Sequence, residues 1–325
     1  MNKNIAIVGA TGLVGRKTLE IIVQRNLLCN NFFLFASKKN AGKKIKLGNK
    51  KYIVEELNKS NISKQKLDYA LMCVKEQVSK QFVEYLANKG TKVIDFSSYF
   101  RASFPLIVPE INFLDIGKSN IICNPNCSTA QSVVALNIIS KKFGLKDIVY
   151  STYQAVSGAG KLALNDIHST SLSKLKKLDY PICNNFIPYI GEIDKQNYST
   201  EENKMIFETK KILHLYDTNI IATCVRIPVE NCHGVSICFT TKKDCKLKQI
   251  KNALMQSAGV NFSDSTPPMP IFANNCDDVF VGRLKAHKTQ KNCFSMVVCA
   301  DNLRKGASLN AVQILERLME GKNEV

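Results

Sequence analysis

The chain has 325 residues, of which 45% are apolar and 22% charged, the make-up of a folded globular protein long enough for about two domains. Its formal net charge of +18 invites a nucleic-acid reading, yet 38 of the 45 basic residues are lysine and only seven arginine, with no arginine-rich or aromatic-interleaved stripe. The charge is therefore assigned to a solvated lysine-rich surface that can draw anionic substrates inward, and no apolar run approaches the ~18 residues of a membrane span.

Lys3 precedes an apolar run, but Gly9, Gly12 and Gly15 interrupt it and Arg16-Lys17 follow, so this segment belongs to the fold and a cytoplasmic chain is expected. Asn4 to Val8 form a strand. Gly9-Ala10-Thr11-Gly12-Leu13-Val14-Gly15 then turn into an amphipathic helix through about Gln24. A strand, a glycine turn and a helix N-terminus make a dinucleotide phosphate site, because glycine lets the backbone approach the pyrophosphate and the helix end favours its charge. Gly9, Thr11, Gly12, Leu13 and Val14 are the candidate contacts, although the spacing is G-x-x-G-x-x-G rather than G-x-G-x-x-G.

Asn31 to Ala36 read as the second strand, at whose end an NAD site would place an acidic residue for the ribose 2′-hydroxyl. Ser37-Lys38-Lys39-Asn40 stand there instead, which suits a 2′-phosphate, so NADP is expected with Lys39 and Asn40 as contacts. Leu67 to Val74 as a strand, Val78 to Asn88 as a helix and Lys92 to Phe96 as a strand continue the alternation of a parallel, doubly wound sheet.

Asn120 to Cys123 end a buried strand, and Thr129 to Phe143 carry Val133, Val134, Leu136, Ile138 and Ile139 at helical spacing. Between them lies Asn124-Pro125-Asn126-Cys127-Ser128-Thr129, which puts Cys127 near a helix N-terminus, where the dipole favours the nucleophilic thiolate. Most cysteines are small core residues, so position has to single this one out. The twelve cysteines contain no C-x-x-C pair and no zinc-like clustering with the four histidines; reduced thiols and no metal are expected.

Farther along, Glu201 and Lys204 share one face of a helix and, taken alone, form an exposed ion pair. Arg226 interrupts an apolar strand, Cys224 to Val229, where an unpaired cation would be costly without an anion to bind. Pro228, Glu230 and Asn231 suggest a turn, so Arg226 and His233 should flank the mouth of a hairpin. Lys305 to Met319 read as a closing helix.

Val8-Gly9-Ala10-Thr11-Gly12, Ser98-Tyr99-Phe100-Arg101, Val108-Pro109-Glu110, Asn124 to Thr129, Ser151 to Gly160, Ala222 to Val229 and Asp301-Asn302-Leu303 together resemble the aspartate-semialdehyde dehydrogenase family, in family order over nearly the whole chain. The resemblance implies NADPH-dependent reduction of L-aspartyl 4-phosphate to the semialdehyde, with Cys127 forming a thioester, in the branch toward lysine, diaminopimelate, threonine and methionine. It implies His233 as the catalytic partner, seven residues after Arg226, and Gln154 to orient the acyl group. Arg226 would take the substrate carboxylate, Arg101 with Asn126 the phosphate, and Glu201 and Lys204 the amino group and phosphate, with Glu202 open as an alternative to Glu201. Ser157, Gly158 and Asn302 would meet the cofactor.

The implied architecture is α/β: a Rossmann-like domain of residues 1–126, rejoined by a C-terminal helix at about 300–325, and an α+β catalytic and dimerisation domain of residues 127–300 with a mixed, largely antiparallel sheet. Partners would be a small anionic substrate, phosphate and a second copy, as a homodimer or dimer of dimers, with neither nucleic acid nor membrane. Cys73-Val74-Lys75-Glu76-Gln77 replaces a loop usually rich in small residues, and the stretch from Lys161 to Asp194 is shorter than in many relatives. An N-acetyl-glutamyl-phosphate reductase type of enzyme and, from another class, a basic nucleic-acid-binding Rossmann protein without catalysis remain as alternatives.

Overall fold

The computed structural model describes residues 2–27 and 31–321; Cys29 and residues 322–325 of the expected closing segment lie outside them. The chain divides into two compact units, Met1–Pro125 with Ala307–Val325, and Asn126–Gly306.

The first unit begins β1 (Asn4–Val8), α1 (Leu13–Gln24), β2 (Asn31–Ala36), β3 (Lys44–Leu47), β4 (Lys50–Glu56) and α2 (Lys59–Ile62). It continues with β5 (Tyr69–Met72), α3 (Glu76–Ala87), β6 (Lys92–Asp95), α4 (Pro109–Asn112) and β7 (Ile121–Cys123). The sheet order is β3-β4-β2-β1-β5-β6-β7, parallel throughout except for the β3–β4 hairpin. Parallel strands covered by helices are buried on both faces, which is why β1 and β5 read as nearly unbroken apolar runs. Ile5, Ile7, Leu34, Leu71 and Ile94 share one core with Leu309, Val312 and Leu315, each such side chain contributing roughly 1.5–3 kcal/mol.

The second unit contains α5 (Cys127–Phe143), β8 (Leu145–Gln154), α6 (Lys161–Leu164), α7 (Thr200–Leu213), β9 (Asn219–Arg226) and β10 (His233–Thr241). After these come α8 (Leu247–Met255), β11 (Val260–Ser263), α9 (Pro270–Ala273), β12 (Val279–Ala286) and β13 (Cys293–Ala300). Its sheet runs β11-β12-β13-β10-β8-β9, with antiparallel pairing at β12–β13, β13–β10 and β10–β8 and parallel pairing at β11–β12 and β8–β9. Strict alternation of buried and half-buried residues along β10 shows one face packed and the other open. The helix α5 is buried on every side from Ser128 to Leu136, its polar Ser128, Thr129, Gln131 and Ser132 included, because it forms the interior of this unit. Between α6 and α7 the stretch is mostly turns, gathered on a small cluster of Val156, Ala163, Ile167, Ile182 and Ile187.

One expectation is corrected. Arg226 and His233 do not flank a hairpin: β8 lies between β9 and β10, parallel to one and antiparallel to the other, so the turn residues Pro228 to Asn231 carry a crossover past a strand already in place. The closing helix is present as expected, helical from Arg304 onward with its first turn wound as a π-helix. Residues Arg304–Ser308 form a π turn, and α10 (Leu309–Met319) begins after it and belongs to the first unit, against α1.

Candidate active site

In the first unit, Gly9 adopts φ 84°, and a Cβ there would come within 2.2 Å of the Cys73 carbonyl oxygen, so only glycine lets β1 turn this tightly against the end of β5. Gly12 caps α1 without a side-chain hydrogen bond, and the first turn has no acidic residue. The leading N–H groups of a twelve-residue helix are thus left to an anion, the donor set a pyrophosphate requires. After β2, Lys38–Asn40 form an exposed 3-10 turn with no carboxylate at the strand end. These residues fit a dinucleotide.

Arg101 also belongs to this unit and is buried, not a loose surface charge: its Nη2 donates to the Phe96 carbonyl at 2.9 Å. The same segment is anchored by Asp95, which accepts from Ser79 and Ser97, each at 2.6 Å. Burial pushes the Asp95 carboxyl upward, against the hydroxyls and Arg101, which favour its charge.

In the second unit, three neighbouring strands end together. Gln154 at the end of β8 is the register partner of Arg226 at the end of β9, and His233 opens β10 on the other side of β8. Each is buried. His233 Nε2 lies 3.2 Å from Cys127 Sγ, and the Ala155 amide donates to His233 Nδ1 at 3.0 Å. Ala155 also accepts, through its carbonyl, from Arg226 Nη1 at 2.7 Å, so one residue's backbone holds both side chains. Burial first, and then the Arg226 charge, push the His233 imidazole well below its ordinary range, with the Cys232 carbonyl pulling weakly the other way. At neutral pH the ring is uncharged.

Cys127 is the first residue of α5, half-buried, and Asn126 caps that helix by accepting from the Ser128 and Thr129 amides at 2.9 and 3.2 Å. Asn126 is itself fixed by two glutamates of α7. Its Nδ2 donates to Glu201 at 2.7 Å and its amide to Glu208, also at 2.7 Å. Glu202 is committed elsewhere, to the Ser199 capping box and to the Cys224 amide at 2.9 Å, which leaves Glu201 as the carboxylate facing Asn126. Lys204 lies 3.6 Å from Glu201 and is 30% exposed, so the pair is not the open surface contact that spacing alone suggested.

Gly158 follows on a 3-10 turn; a Cβ on it would sit 3.1 Å from Arg226 Nη1 and 3.2 Å from His233 Nε2, so its smallness keeps the edge of this centre clear. Ser157 exchanges hydrogen bonds with Asn302, whose Oδ1 also accepts from the Cys232 amide at 2.8 Å. Asn302 is thereby engaged in holding the Ser157 turn to β10. Sequence reasoning missed Glu208 and Gly306. A Cβ on Gly306 would lie 2.8 Å from the Cys127 Cβ. The first had a signal, since Glu201 and Glu208 are seven apart and share a helix face; the second had none outside the tertiary fold.

A thiol at a helix start, a neutral imidazole on its sulfur and a buried guanidinium can together form and break a bond to an acyl carbon of an anionic compound. Residues 4–119 match the family model of the semialdehyde dehydrogenase NAD binding domain, and residues 136–305 that of the semialdehyde dehydrogenase dimerisation domain. The class is that of the semialdehyde dehydrogenases, with a nicotinamide-dinucleotide-binding domain. The chain is 42% identical to the aspartate-semialdehyde dehydrogenase of Aquifex aeolicus, over 98% of this chain and 99% of that one, and 38% identical to that of Bacillus subtilis, over 97% of each. The crystal structure of aspartate semialdehyde dehydrogenase II from Vibrio cholerae, complexed with ASA, superposes with a TM-score of 0.92 at 33% identity, covering 98% of this chain and 99% of that one. This chain belongs to the aspartate-semialdehyde dehydrogenase family.

Proposed function

We propose that the protein converts L-aspartyl 4-phosphate and NADPH to L-aspartate 4-semialdehyde, phosphate and NADP, reversibly, in the supply of lysine, diaminopimelate, threonine and methionine. The observation that carries this is the 3.2 Å contact of Cys127 Sγ with His233 Nε2 at the head of α5, in a chain of this family. The Cys127 thiolate attacks the acyl carbon, a C–S bond forms, and the C–O bond to phosphate breaks. Gln154 orients the thioester oxygen, and His233 stays hydrogen-bonded at the sulfur. Bound NADPH supplies the hydride, and the aldehyde departs as the C–S electron pair returns to Cys127.

Arg226 holds the substrate carboxylate through its planar fork; Glu201 takes the amino group, with Lys204, Asn126 and Arg101 for the phosphate. Gly9, Thr11, Gly12, Leu13 and Val14 hold the pyrophosphate, and Lys39 and Asn40 the 2′-phosphate that distinguishes NADP. Ser157 and Gly158 border the nicotinamide, with Asn302 acting through Ser157.

The partner is a second copy. The open face of the second sheet exposes Val149 (43%), Tyr153 (46%) and Ile221 (50%), apolar area that a homodimer, alone or paired again, would cover. Among the described residues no helix is long and apolar enough to cross a membrane, and we assign the enzyme to the cytoplasm. The deciding assay offers aspartate semialdehyde and N-acetyl-glutamate semialdehyde, each with phosphate and NADP. Preference for the glutamyl compound would overturn the substrate assignment.

A further inference from the structure

We propose that Gln131, a buried residue of α5 outside the site assigned above, is a positioning residue of the reaction: its side-chain amide ties the helix that carries Cys127 to the strand end that carries His233, and so sets the contact between Sγ and Nε2. This rests on the reading of Cys127 and His233 as the reacting pair.

Gln131 follows Cys127 by one helical turn, so the two share a face of α5. It is fully buried, and its Nε2 donates to the His233 carbonyl at 3.0 Å. A carbonyl can only accept, which fixes the amide with its nitrogen toward β10 and its oxygen away. That oxygen is buried and meets no donor among the described residues. A buried acceptor left so is destabilising, and an apolar side chain of the same length would fill the space without that loss. What only the amide supplies is the bond to His233.

The backbone it holds is strained. Cys232, just before His233, adopts φ 75°, a left-handed conformation that a residue with a side chain keeps only where its surroundings impose it. Two side-chain amides grip the Cys232–His233 dipeptide: Asn302 Oδ1 accepts from the Cys232 N–H at 2.8 Å, and Gln131 Nε2 donates to the His233 carbonyl. Asn302 comes from the segment after β13, and the Ala155 amide on Nδ1 from the end of β8, whereas Gln131 comes from the nucleophile's own helix. Of these bonds, only that of Gln131 refers the imidazole to the sulfur. Without it the strained dipeptide can relax away from α5, and the 3.2 Å contact of Sγ with Nε2 lengthens. A misplacement of about 1 Å is enough to cost on the order of 10²-fold in rate.

The test is Gln131→Met, which keeps the length of the side chain and removes both the donor and the unpaired oxygen. Expected are a urea midpoint close to the native one and a kcat lowered about 10–10²-fold, with KM for the semialdehyde within about threefold of native. The pH midpoint for Cys127 alkylation by iodoacetamide, followed by the mass of its peptide, should move upward by at least about half a pH unit, toward the ~8.5 of a free thiol. That profile reads the contact with His233, because a thiol's ionisation follows the group beside it, and a residue serving stability alone would leave it in place. If the methionine variant does not fold, Gln131→Asn, whose amide falls one methylene short of the carbonyl, should show the same loss of kcat and the same upward shift. A native kcat or a native alkylation profile in a folded variant overturns the proposal. Absence of native turnover with either semialdehyde would fell the functional reading alone, since alkylation needs no substrate.

Discussion

The amide of Asn126 donates to the buried carboxylate of Glu208 at 2.7 Å, and through this contact the middle of α7 holds the residue that precedes the nucleophile. Glu201, two helical turns earlier, holds the Asn126 side chain, so the cap of α5 is gripped at both its backbone and its amide. Glu208→Ala should cost about 1–3 kcal/mol, from a buried N–H left without its acceptor, and Glu208→Gln clearly less. Chemical unfolding midpoints of the two variants decide this. An alanine variant as stable as the native protein would contradict it.

Cys127→Ala should remove turnover while the chain stays folded. Iodoacetamide should reach Cys127 ahead of the buried thiols Cys299, Cys224 and Cys232, because burial pushes Cys299 up to about 12 and drives Cys224 and Cys232 upward too. Peptide mass mapping after brief alkylation gives the order of labelling; unchanged turnover in the alanine variant would remove Cys127 as nucleophile.

Arg226→Lys should raise KM for the semialdehyde by roughly 10–100-fold with a smaller effect on kcat, since an ammonium keeps the charge but loses the fork and its bond to Ala155. Initial rates over a range of semialdehyde concentrations separate the two parameters. A pure kcat defect would assign Arg226 to the chemical step instead.

Lys39→Asp should lower the preference for NADP over NAD at least about tenfold, because a carboxylate repels the 2′-phosphate and accepts from a 2′-hydroxyl. The ratio of kcat/KM for the two cofactors measures it. An unchanged ratio would place the phosphate contact elsewhere.

Stability should fall in mild acid. His233 is neutral in the folded protein, its affinity for protons lowered by burial and Arg226, whereas in the unfolded chain it takes up a proton below about pH 6.5. The unfolded state therefore binds more protons there, and this site removes up to about 1.4 kcal/mol per pH unit as pH drops below that point, with full stability above it. His233→Gln should flatten that part of the profile. A parallel slope in native protein and variant would refute the contribution.

Much of this was legible in the chain. The strands Asn4–Val8 and Asn31–Ala36 appear where apolar runs place them, because parallel strands buried on both faces must be apolar without interruption. The glycine turn is equally local, since Gly9 needs φ 84°. The β9–β10 relation failed for the opposite reason: a turn-rich link looks the same whether its strands pair directly or, as here, admit β8 between them.

By itself, the sequence determined the alternation of the first sheet, the dinucleotide turn, the expectation of a 2′-phosphate and the placing of Cys127 at a helix start, all of which follow from residues close together in the chain. Only the tertiary structure decided that Ala155 binds both His233 and Arg226, that Glu201 and not Glu202 faces Asn126, and that Glu208 and Gly306 crowd the nucleophile's turn. The physical reason is that hydrogen-bond direction and close packing depend on which distant backbones are brought side by side, and no local pattern encodes that until the strands have chosen their neighbours.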